Sequence, residues 1–135
     1  MKPSIDFNGQ YFIPIHCGGL YWPSQKALII SDLHLEKASS YAKFGSFIPP
    51  YDTQETLKKL AESCLKSKAQ TLLFLGDVFH DIAAMKRMNK SDYALLESIL
   101  SKHNIIWVEG NHDPGLAPPN VKIHTEYRME NITFR

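Results

Sequence analysis

Apolar and polar residues along the chain fall into two rhythms, and each predicts a different kind of element. "YFIPI", "ALIISDLH", "TLLFLGD" and "NIIWVEGNHD" each hold a short apolar run, three of them closing on Gly, Asp, Asn or His, as buried strands do. Between them, "YDTQETLKKLAESCLKSKA" repeats its apolar residues at helical spacing, with Leu57, Leu60, Ala61, Cys64 and Leu65 on one face. Asp52 and Glu55 fit a capping box at its start. "KSDYALLESILSKH" is a second amphipathic helix with Leu95, Leu96, Ile99 and Leu100 inward, capped by Ser91 or Asn89. "NVKIHTEY" and "NITFR" read as two further short strands.

Strand, helix, strand, helix, strand predicts a largely parallel α/β sheet joined by right-handed crossovers and covered on both faces. No repeat, low-complexity tract or linker interrupts it, so residues 1–135 are read as a single domain.

Fifteen basic residues against fourteen acidic ones give a net charge of +1, so no global field draws the chain to nucleic acid or membrane. Any nucleic-acid role must rest on a local site. No apolar run approaches the roughly 18 residues of a membrane span and "MKPSIDFNGQ" has no apolar signal core, so a cytoplasmic location is expected. Cys17 and Cys64 lack metal or disulfide spacing and are read as structural thiols.

Three polar clusters carry the chemistry. "SDLH" closes the first buried strand, "GDVFHD" the second and "GNHD" the third. In a parallel sheet these carboxyl ends share one edge, where Asp32, His34, Asp77, His80, Asn111 and His112 can converge. Carboxylates, imidazole and an amide form a mixed O/N donor set suited to manganese, iron or zinc. Two ions about 3.5–4 Å apart, bridged by a carboxylate such as Asp77, can activate a water for attack at phosphorus. His112 is placed to stabilise charge or protonate the leaving oxygen, with Asp113 orienting its ring. Capping of strand ends is the plainer reading of these Asp and Asn residues. His80 is open between a substrate-side role and a helix-start residue. His16 and His103 are read as surface residues, and "MKRMNK" as a solvated basic loop.

The ordered trio D-x-H, G-D and G-N-H-D, each after an apolar strand, resembles the calcineurin-like metallophosphoesterase family. That resemblance implies a layered α/β/β/α sandwich, of which this chain would be the N-terminal βαβαβ half. It also implies that Asp32 and His34 hold a first ion, Asp77 bridges, Asn111 holds a second, and His112 contacts phosphate or acts as acid. "LYWPSQKALIISDLHLEKASSYAKFGSFIPP" followed by "GDVFH" is similar to the ligase-associated DNA damage response endonucleases, the PdeM-type branch. This implies manganese-dependent phosphodiesterase or endonuclease activity, a DNA substrate, and DNA-repair ligase or helicase partners. Glu36 stands where that branch carries Gly, which places an additional acid near the metals.

The family's later His and closing G-H-x-H are not found; after Asp113 the only imidazole is His124. The domain is therefore expected to be C-terminally incomplete, with an unpaired sheet edge and a tendency to self-associate. A non-catalytic module of the same fold, working in protein interaction, is the alternative function. His124 as a substitute ligand is weighed against a solvent-facing strand residue.

Overall fold

The structure is a computed structural model that describes residues 3–15, 18–42 and 52–135, with the side chains of 41 and 42 excepted. His16 and Cys17 lie outside the described residues. Seven strands form one sheet in chain order: β1 (Ile5–Phe7), β2 (Gln10–Pro14), β3 (Leu20–Trp22), β4 (Ala27–Ile30), β5 (Thr71–Leu75), β6 (Asn104–Val108) and β7 (Ile123–His124). β1 to β4 pair antiparallel, whereas β4, β5, β6 and β7 pair parallel. The crossovers from β4 to β5 and from β5 to β6 contain α2 (Asp52–Ser67) and α4 (Lys90–Ser101), as the two rhythms predict.

Strand β4 is buried along its whole length because it is covered on both faces. Leu28 and Ile30 enter one core with Leu72, Phe74, Leu57, Leu60 and Leu96, the layer between sheet and helices. Ala27, Ile29 and Leu73 point the other way, into a core with Trp22, Phe12, Ile132 and Phe134. The last two belong to β9 (Ile132–Phe134), which pairs antiparallel with β8 (Tyr127–Met129) in a separate two-stranded sheet. The layers are thus helix, sheet and hairpin. The stretch "NVKIHTEY" accordingly divides, β7 joining the large sheet and β8 the small one.

Several expectations change in detail. Leu65 is 79% exposed, and the inward face of α2 is instead completed by Thr53 and Ser63. The Asp52 carboxylate accepts from the backbone N–H of Ala38 in α1 (Lys37–Ala42), at 3.0 Å, and among the described residues no bond joins it to Glu55 as a capping box would. Asn89 rather than Ser91 caps α4, accepting from the N–H of Asp92 at 2.8 Å. "MKRMNK" is partly helical, as α3 (Ala84–Arg87). At the β1 end of the sheet Ile5, Phe7 and neighbouring Tyr11 are exposed. Among the described residues no helix is long and apolar enough to cross a membrane.

Candidate metal centre

The parallel register brings the polar clusters together. Ile30, Phe74 and Trp107 stand side by side across β4, β5 and β6, so the chain leaves the three strands at one edge. The loops then continue to pair through their backbones. Asp32 N–H donates to Gly76 O, His34 N–H to Asp77 O and His80 N–H to Leu35 O, at 2.9–3.1 Å. Leu35 and Phe79 form an isolated parallel bridge. Asp32, His34, Glu36 and Asp77 all adopt left-handed backbone conformations, with φ of 58°, 47°, 66° and 51°. Such conformations are uncommon for side chains bearing a Cβ and concentrate where the surroundings enforce them.

Asp32, His34 and Asp77 each offer a ligand atom, and the three atoms lie within 4.8 Å of one another. His34 Nε2 is 3.9 Å from Asp32 Oδ1, while its buried Nδ1 has no hydrogen-bond partner among the described residues. Two carboxylates and an imidazole converging this closely suit a divalent cation of the manganese, iron or zinc type. The residues therefore fit the ion that the donor chemistry calls for. Asn111 lines the same cleft, about 180 Å³, with Asp32, Asp77, Glu109, Gly110 and Arg135. A larger groove of about 570 Å³ lies at the opposite end of β6, around Asn104 and Ile105, away from these donors.

Three histidine rings lie close to one another beside these donors. The His112 ring meets the His34 ring edge-on at 5.0 Å, and His80 lies 5.5 Å from His34 and 5.9 Å from His112. The His80 ring is thus a neighbour of both the others. Burial, followed by the neighbouring His34, holds its imidazole below the usual histidine range, against an opposing pull from Asp81. His124 stands apart from the three donors: its ring packs on Tyr127 at 5.1 Å, and its carbonyl accepts from Glu109 N–H.

Asp113 behaves differently from the expected partner of the His112 ring. It is fully buried, and both oxygens are taken by backbone N–H groups: Oδ1 accepts from Asp77 and Gly110, Oδ2 from Phe79. Its charge ties the loop after β5 to the loop after β6. His112 is fixed through its main chain instead, its N–H donating to Asp77 Oδ1 at 2.8 Å.

Glu36 likewise turns away from the role expected of an added acid. Its carboxylate accepts from Ser39 and Thr53 hydroxyls inside the helical layer, and the residue is 7% exposed. Sequence reasoning missed Ser31, whose hydroxyl lies 3.0 Å from Asp32 Oδ2 and 2.8 Å from Leu75 O. It also missed Arg87, which leaves the supposed solvated loop to pair with Asp81 at 2.7 Å.

The family model for calcineurin-like phosphoesterases matches residues 26–134. The chain belongs to the calcineurin-like phosphoesterase family. Its fold is also that of a nuclease, MPE, of Pseudomonas putida, solved by crystallography, with a TM-score of 0.68 at 22% identity. The alignment covers 92% of this chain and 59% of the nuclease, so the chain spans less than two thirds of that protein's length. Comparison with curated proteins finds no match.

Proposed function

We propose that this phosphoesterase is a divalent-metal-dependent phosphodiesterase or endonuclease, acting on DNA in the cytoplasm in connection with DNA repair. The convergence of Asp32, His34 and Asp77 within 4.8 Å carries the reading. The family and the fold shared with a nuclease support it. We read residues 1–135 as belonging to one phosphoesterase domain. Manganese is the preferred ion, with iron or zinc as alternatives. A repair ligase or helicase, or a second copy of the chain, is the proposed partner.

In this reading Asp32 and His34 would hold a first ion, Asp77 would be shared with a second, and Asn111 would hold that second ion. When bound, the ions would supply Lewis-acid polarisation of the phosphoryl group and activation of the attacking water. The chain's own groups do the rest. Asp77 keeps one oxygen occupied by the His112 N–H, which fixes the carboxylate's orientation. The exposed His112 ring stands beside His34, where it donates to a phosphoryl oxygen or protonates the leaving oxygen. His80 sits on the substrate side of the same cluster. Asp113 holds the two loops in register from beneath.

A non-catalytic interaction module is the second reading, but it gives no reason for the donors to converge. Hydrolysis of bis(p-nitrophenyl) phosphate with added Mn²⁺, by the full chain and by Asp77→Asn and His112→Ala, tests the proposal. Mn²⁺-dependent turnover lost in both variants, with the far-UV spectrum unchanged, is expected. Turnover in Asp77→Asn equal to the parent removes Asp77 from the site.

A further inference from the structure

We infer that Arg87 is a positioning residue for the metal centre, clamping the loop that carries His34 against the loop that carries His80. The inference rests on the reading that both histidines belong to the functional site. Three donors of one guanidinium reach both loops. Nη1 donates to Asp81 Oδ1 at 2.7 Å, Nε to Ser39 Oγ at 2.9 Å and Nη2 to the Glu36 carbonyl at 3.0 Å. Asp81 follows His80 directly, and Glu36 stands two residues after His34.

The anchors are themselves held. Glu36 is buried in a left-handed conformation, its N–H donating to Thr53 Oγ1 and its carboxylate accepting from Ser39 and Thr53. Thr53 belongs to α2, so the clamp is referred to the helical layer rather than to solvent. The Arg87 side chain is only 15% exposed. On the other flank, the Leu35 to Phe79 bridge and the bond from His80 N–H to Leu35 O bind the same two loops. Between these ties the His34 and His80 rings meet at 5.5 Å. A planar fork with donors in fixed directions can satisfy three acceptors at once, which a lysine ammonium on a flexible stem does not reproduce.

The test uses the full chain labelled with ¹⁵N-histidine and free of metal, and reads the ring nitrogens. In Arg87→Met the ring signals of His34 and His80 shift while those of His103 and His124 stay in place; Arg87→Lys restores the parent positions only in part. Unmoved His34 and His80 signals in a folded Arg87→Met overturn the inference. Should His103 and His124 also shift, the fold itself has changed and Asp81→Asn decides. That variant removes the charge from one anchor and leaves Arg87 in place: shifted His34 and His80 signals support the clamp, and unmoved ones overturn it. Mn²⁺ affinity measured by electron paramagnetic resonance falls about tenfold in Arg87→Met, the scale typical of groups that orient ligands; unchanged affinity overturns the link to the metal centre. A parent chain that takes up no Mn²⁺ overturns the functional reading, and the metal-free ring spectra keep that result apart from failure of the clamp.

Discussion

Gly110 packs against Asp77 so closely that a Cβ on the glycine would lie 2.3 Å from both the backbone nitrogen and Oδ1 of the aspartate. The glycine of G-N-H-D is therefore a spatial requirement of the aspartate in G-D. Gly76 reinforces it: its φ is +78°, and a Cβ there would come within 3.1 Å of Gly110 Cα. The two motifs meet glycine to glycine, backbone to backbone, with a metal-ligand candidate beside the contact.

Gly110→Ala is accordingly expected to push Asp77 off its position, because the clashing atoms include main chain that cannot rotate aside. Overpacking of this kind costs about 1–3 kcal/mol. Urea unfolding and Mn²⁺ titration of the same variant check both halves. A variant with the parent's unfolding midpoint and Mn²⁺ affinity would show that the loops yield without consequence.

Asp113 is the hidden support of the same contact. A buried carboxylate accepting from three N–H groups is a charge-assisted arrangement, and Asp113→Asn sets an amide donor against N–H donors. The expected loss is about 3 kcal/mol, since hydrogen bonds to charged groups contribute roughly 1.5–3 kcal/mol each and orphaned buried donors add to the cost. Thermal and denaturant unfolding measure it. If Asp113 served only the His112 ring, the variant would lose activity with its stability intact.

Leucines of α2 provide a contrast of burial within one helix. Leu60 is fully buried, so Leu60→Ala is expected to cost about 2–5 kcal/mol through lost contacts and a cavity. Leu65→Gln should stay within about 0.5 kcal/mol of the parent, as exposed substitutions do. Comparable losses in the two variants would mean that the Leu65 side chain is covered in solution.

That contrast shows where pattern reading succeeds and where it stops. At about 100° per residue Leu65 lies about 140° round the helix from Leu60, while Thr53 and Cys64 lie close to it. The apolar stripe thus included a residue beyond its edge and passed over a buried threonine, because Thr53 is inside for its bond to Glu36. The three central strands were legible because burial on both faces demands continuous apolar runs, and their parallel register alone aligns the polar ends. The three-residue strands β1 and β3 are too short to show a period. Yet "FNGQ" did carry a hairpin signal, since Asn8 and Gly9 both take positive φ in the turn between β1 and β2. The candidate ligands were legible as residue types. The loop-tying role of Asp113 and the part played by Arg87 were not, because their partners are main-chain groups and distant loops that no local spacing encodes.

The pair of Asp81 and Arg87 gives stability a dependence on pH whose sign follows from its chemistry. A hydrogen bond from Arg87 holds the Asp81 carboxyl below its ordinary range, against the opposing effect of burial. A depressed folded-state value means that the folded protein favours the ionised form, so the contribution is fully present above the unfolded value of about 4 and fades as pH falls through the lower folded one. The Asp81 side chain is 36% exposed, so solvent screening keeps the contribution to about 1 kcal/mol or less. Asp81→Asn should therefore be less stable than the parent at pH 7 by up to about that amount, and the gap should close toward pH 2 as the parent's carboxyl takes up its proton. Chemical denaturation of both proteins at several pH values reads the gap directly. A difference that persists undiminished into acid would assign the cost to the lost geometry of the amide rather than to the charge.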